Sequence, residues 1–337
     1  MGLAVSWSSQ DRLGEAMDEQ QSVAPGGPSH AWYLAVLARA RGGPAVATAV
    51  AHPIDALSLG AAAEAAELGL IAPILVGPRA KIEAAAVAAG IDISHFRLDD
   101  VPHSHAAAAR AVELVRAGDA QLLMKGALHT DELMHEVMAA ATGLRPERRI
   151  SHVYLLDLPD HDRPLLVTDA AINIAPDLED KRDIVQNAID LARVMRIDAP
   201  KVALLSAVET VNPKLQSTLD AAALCKMADR GQIVGGVLDG PLAFDNAINA
   251  DAAREKGIVS PVAGQADILV VPDLVSGNIL AKMLTFVAMA DAAGVVLGAR
   301  VPIVLTSRAD NQRARIASCA VAVLMADEPM LAVKPPA

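Results

Sequence analysis

The run Ala45-Val-Ala-Thr-Ala-Val50, the Ala-rich stretch Ile54–Leu68 and the run Ala72-Pro-Ile-Leu-Val76 decide the fold. Short apolar runs between turn residues read as buried strands, and the longer Ala-rich stretch as a helix. Outward from this unit the same switch repeats. Helices are expected from about Arg79 and His105, with a short strand at Gln121–Met124 between Asp119 and Gly126. Val153–Leu156 and Leu165–Thr168 flank Pro159-Asp-His-Asp-Arg-Pro164 as a hairpin, and Asp177–Met195 is a long helix entered after Pro176. Strands follow at Val202–Ser206, Ile233–Leu238, Ile268–Val271, Val295–Leu297 and Val301–Leu305, then an apolar helix at Asn311–Ala326. Such alternation is the signature of an α/β chain with doubly wound, mostly parallel sheets.

At 337 residues the chain exceeds the size at which one hydrophobic core usually stops growing. Two α/β domains with a ligand cleft between them are therefore expected. Aromatic residues are only 2%, so the cores are built from Ala, Val, Leu, Ile and Met, and a base moiety finds few faces to stack on. A net charge of −11 argues against a nucleic-acid or anionic-membrane partner, and makes any local cluster of cations conspicuous. Cys225 and Cys319 sit in no metal or redox spacing and read as reduced core thiols. No apolar run approaches the ~20 residues of a membrane span, and the N-terminus has no signal-peptide profile. The expectation is a soluble, cytoplasmic protein. Residues 1–29, ending in Pro25-Gly-Gly-Pro28, read as a polar leader.

Ligands of α/β proteins bind outside the carboxyl ends of the strands, so polar residues at those points are the candidates. Ser307-Arg308 follows the strand ending at Leu305 and precedes a helix, whose N-terminus offers unpaired N–H groups. Arg308 would hold phosphate as a bidentate fork; Ser307 or Asp310 could equally cap the helix. Leu144-Arg-Pro-Glu-Arg-Arg149 is the densest positive patch. In Met124-Lys-Gly-Ala-Leu-His-Thr-Asp131, Lys125 is a phosphate partner, Gly126 permits close backbone approach, and Thr130 or Asp131 caps a helix beginning at Glu132. His129 there is a general base or a structural residue, a histidine's ordinary pKa lying near neutrality. Asp239-Gly-Pro-Leu-Ala-Phe-Asp245 brings two carboxylates after the strand Ile233–Leu238. Asn278, in Val271-Pro-Asp-Leu-Val-Ser-Gly-Asn-Ile-Leu-Ala-Lys282, opens a helix as a cap or as a donor to a carbonyl, and Ser206 ends a strand. No Gly-x-Gly-x-x-Gly fingerprint, P-loop or Gly-x-Ser-x-Gly elbow occurs.

Val-Pro-Asp-Leu-x-x-Gly-Asn-Ile with Ser-Arg about thirty residues on, Leu-Arg-Pro at 144–146 and Lys-Gly-x-x-His-Thr at 125–130 together resemble the phosphate acetyltransferase and phosphate butyryltransferase family, of isocitrate/isopropylmalate dehydrogenase-like fold. The resemblance runs from about Val50 to Met325. It implies acyl transfer between coenzyme A and inorganic phosphate, by direct attack of phosphate on the thioester, with no metal and no cofactor beyond coenzyme A as substrate. It implies that Ser307, Arg308 and Asp310 are catalytic and that Arg145, Lys125, Gly126, Thr130, Ser206 and Asn278 bind substrate. It further implies a homodimer, and a first domain of residues 30–152 plus 300–337 around a second of 153–299. Two departures stand out. The acid that the acetyl branch carries later in its Ser-Arg helix falls on Ala314, leaving the general base open with Asp310 as one candidate. Phe-Ala-Asp-Cys reads Val167-Thr-Asp-Ala170. Ser-Arg-Ala-Asp looks more like the butyryl branch, or like the segment fused to enoyl-CoA hydratases. The alternatives are a metal- and NAD-dependent dehydrogenase of the isocitrate or 4-hydroxythreonine-phosphate type, and an inactive coenzyme A-binding subunit.

Overall fold

A computed structural model describes residues 31–144, 148–159, 161, 163–306 and 310–328. The leader 1–29, Arg145, Ser307 and Arg308 lie outside the described residues. The first part runs α1 (Ala31–Ala40), β1 (Val46–Ala51), α2 (Ala56–Glu67), β2 (Ile71–Gly77), α3 (Arg79–Ala89), β3 (Arg97–Asp100), α4 (Ser104–Ala117), β4 (Leu122–Lys125) and α5 (Thr130–Met138). The middle runs β5 (Ser151–Asp157), β6 (Leu165–Thr168), α6 (Leu178–Val194), β7 (Lys201–Leu205), α7 (Gln216–Asp229), β8 (Val237–Leu242), α8 (Phe244–Ile248) and α9 (Ala250–Glu255). It closes with β9 (Ile268–Val270), α10 (Leu274–Phe286), β10 (Asp291–Leu297), β11 (Ile303–Val304) and α11 (Gln312–Asp327).

Among the described residues, eleven strands join one sheet, in the order β3-β2-β1-β4-β11-β10-β5-β6-β9-β7-β8. Its ladders are antiparallel only at β11–β10, β10–β5 and β5–β6. From those pairings, β1 to β4, β11 and β5 run one way and β6 to β10 the other. The carboxyl ends of the two parallel sets therefore lie along opposite edges of the sheet. The C-terminal segment returns to the first set: β11 pairs with β4 through Ile303↔Leu123 and Val304↔Met124.

Successive residues of the central strands enter cores on opposite faces, as a period of two requires. Val50, Met124, Val202, Ile268 and Val270 pack under α1, α2, α6, α7 and α11. Ala49, Ala51, Leu123 and Ile303 pack under α4 and α5, and Val167, Ala203 and Leu269 lie in the core that includes Ala247 of α8 and Ala253 of α9. Both faces are covered, so the strands read as continuous apolar runs. The fold is α/β with a large, mostly parallel sheet.

Two elements differ from the sequence reading. The charged strand Arg97-Leu-Asp-Asp100 carries no apolar run to announce it, and lies at the sheet edge beyond β2. The strand expected at Ile233–Leu238 is Val237–Leu242. Gly235 takes φ +85, and Gly236 packs against the Ile189 side chain, so the chain turns there and pairs only afterwards. Pro241 is tolerated because β8 is the other edge. Asp239 thus lies within β8 rather than after it.

Candidate active site

Beyond β1 the chain leads to β2 and β3 on one side, while β4 lies on the other side of β1. That is a topological switch point, the position at which open α/β sheets place their ligands. Ala51 pairs with Lys125 in register, so His52 and Gly126 continue side by side. The Gly126 N–H donates to the Ala51 carbonyl at 2.9 Å, and the Ala127 N–H to the His52 carbonyl at 2.9 Å. A Cβ on Gly126 would run into both carbonyls, 2.7 Å from that of His52; only glycine allows this approach. Lys125 is buried, its Nζ 3.4 Å from the Gly126 carbonyl oxygen. Thr130 is half-buried at the start of α5. It does not cap that helix, and neither does Asp131: the helix begins at Thr130 itself, with His129 at the N-cap making no side-chain bond. His129 is exposed.

His52 was not singled out from sequence. It is buried, takes φ +58 and places Nδ1 3.4 Å from the Ala127 carbonyl oxygen. A left-handed conformation in a non-glycine residue costs energy that the surrounding structure must sustain. Burial is the main cause that moves its pKa down, with the Ala127 carbonyl opposing. The available signal was His-Pro directly after the apolar run of β1.

One strand beyond β4, β11 leads through Thr306 toward Ser307. Arg315, buried in the first turn of α11, donates from Nη1 to Thr306 Oγ1 at 3.0 Å and from Nε to the Asp310 carbonyl at 3.2 Å. It therefore holds both ends of the segment 306–310. Asp310 does not cap the helix: Asn311 does, accepting from the Ala314 N–H at 2.8 Å. Tyr154 in β5 connects this region to the turn after β6. Burial, then the carboxylates of Asp310 and Asp169, push its phenol up to about 12. The Asp169 carboxylate accepts from the backbone of Ala171, Ile172 and Asn173, and from Asn173 Nδ2 at 2.6 Å. Burial pushes its pKa up against the pull of these bonds. Asn278 docks α10 on this turn, its Nδ2 3.2 Å from the Ala170 carbonyl. It does not open the helix, because Asp273 caps it through the Ser276 N–H.

At the opposite sheet edge a cleft of about 870 Å³ opens over the ends of β7 and β9. Ser206 lines it, its hydroxyl 2.8 Å from that of Ser217 in the first turn of α7. On its floor Lys181 Nζ meets Asp220 Oδ2 at 2.6 Å, both buried. Asp177 and Asp273 add negative charge to the lining, Leu205, Phe244, Val271 and Leu280 an apolar wall. A lining whose one lysine is already paired suits an uncharged amide or acyl chain better than a phosphate.

The structure thus brings Lys125, Gly126 and Thr130 together at one edge, and Ser206 near the helix of Asn278 at the other. Arg148 pairs with Asp190 at 2.7 Å and Arg149 with Asn173 at 2.7 Å, so both arginines are engaged with α6 and the Asp169 turn. Asp245 meets Lys256 at 3.3 Å. Cys319 is buried and Cys225 half-buried, and burial pushes both thiols up to about 12. Among the described residues no group of His, Cys, Asp and Glu is placed to hold a metal ion, and no helix is long and apolar enough to cross a membrane.

Comparison with known proteins places this geometry in a family. The model described as phosphate acetyl/butaryl transferase matches residues 104–323. A phosphate acetyltransferase of Rhizobium meliloti is 66% identical over 294 residues, 87% of this chain and 93% of its own length. A phosphate butyryltransferase of Clostridium acetobutylicum is 43% identical over 83% of this chain and 93% of its own. The crystal structure of a branched-chain phosphotransacylase from Enterococcus faecalis V583 superposes with a TM-score of 0.73 at 31% identity, covering 83% of this chain and 99% of that one. With a match across two-thirds of its residues and such identity over most of its length, the chain belongs to the phosphate acetyl/butaryl transferase family.

Proposed function

We propose that this chain moves a short acyl group between coenzyme A and inorganic phosphate, giving acyl phosphate and free coenzyme A. The observation that carries the reading is 66% identity, over 87% of the chain, to a relative named phosphate acetyltransferase. A phosphate oxygen attacks the thioester carbonyl carbon; the new C–O bond forms, the C–S bond breaks, and one proton moves from phosphate to sulfur. Holding two substrates in line is the main resource for such a reaction, with preorganised charge adding to it. In this reading Arg308 and Arg145 orient and neutralise the phosphate, with Lys125 as a further cation. Ser307 hydrogen-bonds the developing oxyanion or the departing sulfur. Gly126 and Thr130 shape the crevice, and Asp310 is one carboxylate available as base. Ser206 and the apolar cleft would take the uncharged arm of coenzyme A, and Asn278 would steady the helix beside it. Acetyl is the favoured acyl group, since the butyryl relative is 43% identical. Coenzyme A enters as a substrate, and no resident cofactor is needed.

The division into residues 30–152 with 300–337 and residues 153–299 is part of this proposal, supported by the pairing of β11 with β4. So is a cytoplasmic homodimer: α10 and the turn after it expose Val275, Ile279, Met283, Phe286, Val287 and Met289. A contiguous apolar patch of that kind marks an association surface.

The test is thiol release from acetyl-, propionyl- and butyryl-coenzyme A by purified, metal-free protein, with and without inorganic phosphate. Phosphate-dependent release, fastest with acetyl-coenzyme A, is the expected result. Absence of release from all three, in folded protein, would overturn the reading.

A further inference from the structure

We infer that His52 is the proton-transfer group of this reaction: its Nε2 takes the proton from the attacking phosphate and returns it to the sulfur of the departing coenzyme A. The inference rests on the acyl-transfer reading above and names the group that the alanine at position 314 leaves open.

Four observations converge on it. First, His52 stands at the β1/β4 switch point, beside Gly126 and one residue beyond the Ala51–Lys125 pair. Adjacent parallel strands are ~4.8 Å apart, and β11, from which the chain runs on toward Ser307 and Arg308, is one strand beyond β4. Second, the backbone holds a histidine at φ +58, a conformation that only glycine adopts at little cost. Third, Gly126 leaves the room that the His52 backbone occupies, and Gly77 lies alongside at ordinary contact distance. A Cβ on Gly77 would lie 3.4 Å from His52 Cα and 3.6 Å from Cδ2, and one on Gly126 would strike the His52 carbonyl. Fourth, the partner of Nδ1 is a carbonyl, which only accepts. Nδ1 therefore carries the hydrogen, and Nε2 is left as the acceptor.

The charged groups that act on the ring are Lys81 of α3, which disfavours its protonated form, and Glu132 of α5 and Asp55 before α2, which favour it. Lys125 stands at the adjacent strand tip. Glu132 keeps Oε2 buried with no hydrogen-bond partner among the described residues. A carboxylate so placed would stabilise the imidazolium during the step in which it carries the proton. Burial keeps the ring neutral and ready to accept at neutral pH. The other histidines near the strand ends are less suited. His129 is exposed and makes no side-chain bond at its helix terminus. His152 is fully buried and driven down to about 3, too low to carry a proton near neutrality.

The balance closes within the two substrates. The phosphate loses one proton as its oxygen bonds to the carbonyl carbon. The sulfur leaves with the electron pair of the C–S bond, and the imidazolium protonates it. His52 ends neutral, as it began.

The experiment is steady-state thiol release by His52→Gly and His52→Gln, with added imidazole and across pH. Glycine suits φ +58, so the His52→Gly protein should fold with an unchanged or raised Tm. Its kcat should fall about 10²–10⁴-fold, the usual share of general acid–base catalysis. Free imidazole should restore at least part of it, in proportion to the neutral imidazole present, and the acid limb of the kcat–pH profile should vanish in His52→Gln. A His52→Gly enzyme within twofold of the parent, or one that imidazole fails to rescue at any pH, would overturn the assignment. An unsubstituted protein lacking phosphate-dependent release fails earlier, at the acyl-transfer reading itself.

Discussion

Ser307 and Arg308 stand out in the sequence because an adjacent Ser-Arg after an apolar strand is a local pattern, though both lie outside the described residues. Arg315 does not: it reads as a helix arginine until the fold brings it onto Thr306 Oγ1 and the Asp310 carbonyl. For the same reason His52 was not singled out, since its neighbour Gly126 is distant in sequence and adjacent only through the continuation of the β1–β4 ladder. If Arg308 neutralises phosphate in the transition state, Arg308→Ala should lower kcat/KM about 10²–10³-fold, or roughly 3–4 kcal/mol. Turnover near the parental value in steady-state assays would remove it from the site. A second prediction concerns stability. His152 is fully buried, with no partner for Nδ1 among the described residues, and its ring sits 4.3 Å from that of Tyr154. Burial drives its pKa from 6.5 to about 3. The folded value lies below the unfolded one, so the folded state binds this proton later. The contribution is present above about pH 6.5 and is lost as pH falls from there toward 3. By linkage the loss between pH 7 and 5 amounts to about 2 kcal/mol. His152→Leu should therefore show a flatter decline in denaturation free energy over that interval, and a slope equal to the parent's would show that His152 does not titrate in the unfolding reaction.

The elements announced themselves wherever a strand or helix had an apolar face. The exceptions are instructive: Arg97–Asp100 is charged, and Val237–Leu242 holds Gly240 and Pro241. Both are edge strands, where one missing ladder relaxes the need for apolar β-formers. In α10 the pattern was readable but its meaning was not. The helix carries Leu274, Val275, Ile279, Leu280, Met283 and Phe286, more apolar surface than one face can bury against the sheet. Gly277 sets its docking, since a Cβ there would lie 2.9 Å from the Asp169 carbonyl oxygen. Ser276 and Leu280 then line the cleft, while Val275, Ile279 and Met283 face away, each more than half exposed. A second copy seated on that stripe would brace the cleft wall from behind. If the proposed homodimer forms through this stripe, the double variant Ile279→Glu, Met283→Glu should run at half the parental mass by light scattering. A loss of acyl-coenzyme A affinity should accompany it. An unchanged dimer would put the interface elsewhere.

At the scale of the molecule, α/β alternation and the reversal at the β5–β6 hairpin were visible in the sequence, but the antiparallel seam at β10 was not. β10 is the seam: it pairs antiparallel with β5 from Asp291↔Asp157 to Leu297↔Ser151 and with β11 on its other side. Nothing in Asp291–Leu297 distinguishes a seam strand from a parallel one, because direction belongs to the connections and not to the residues. Carboxyl ends therefore gather at two edges, with Lys125, Gly126 and His52 at one and the Ser206 cleft at the other. A fold alone does not choose the chemistry, so the dehydrogenase alternative is judged on the donor set. A divalent metal would need converging carboxylates, whereas here Asp169 is saturated by four hydrogen bonds and Asp177 and Asp273 cap their own helices. In the proposed reading Lys125, buried at the β4 tip, would supply positive charge instead. Acyl transfer should therefore persist undiminished after exhaustive treatment with EDTA, and no NAD reduction should appear with hydroxy-acid substrates. Activity that collapses on chelation and returns with a divalent cation would mean that metal, and not the arginine–lysine set, neutralises the phosphate.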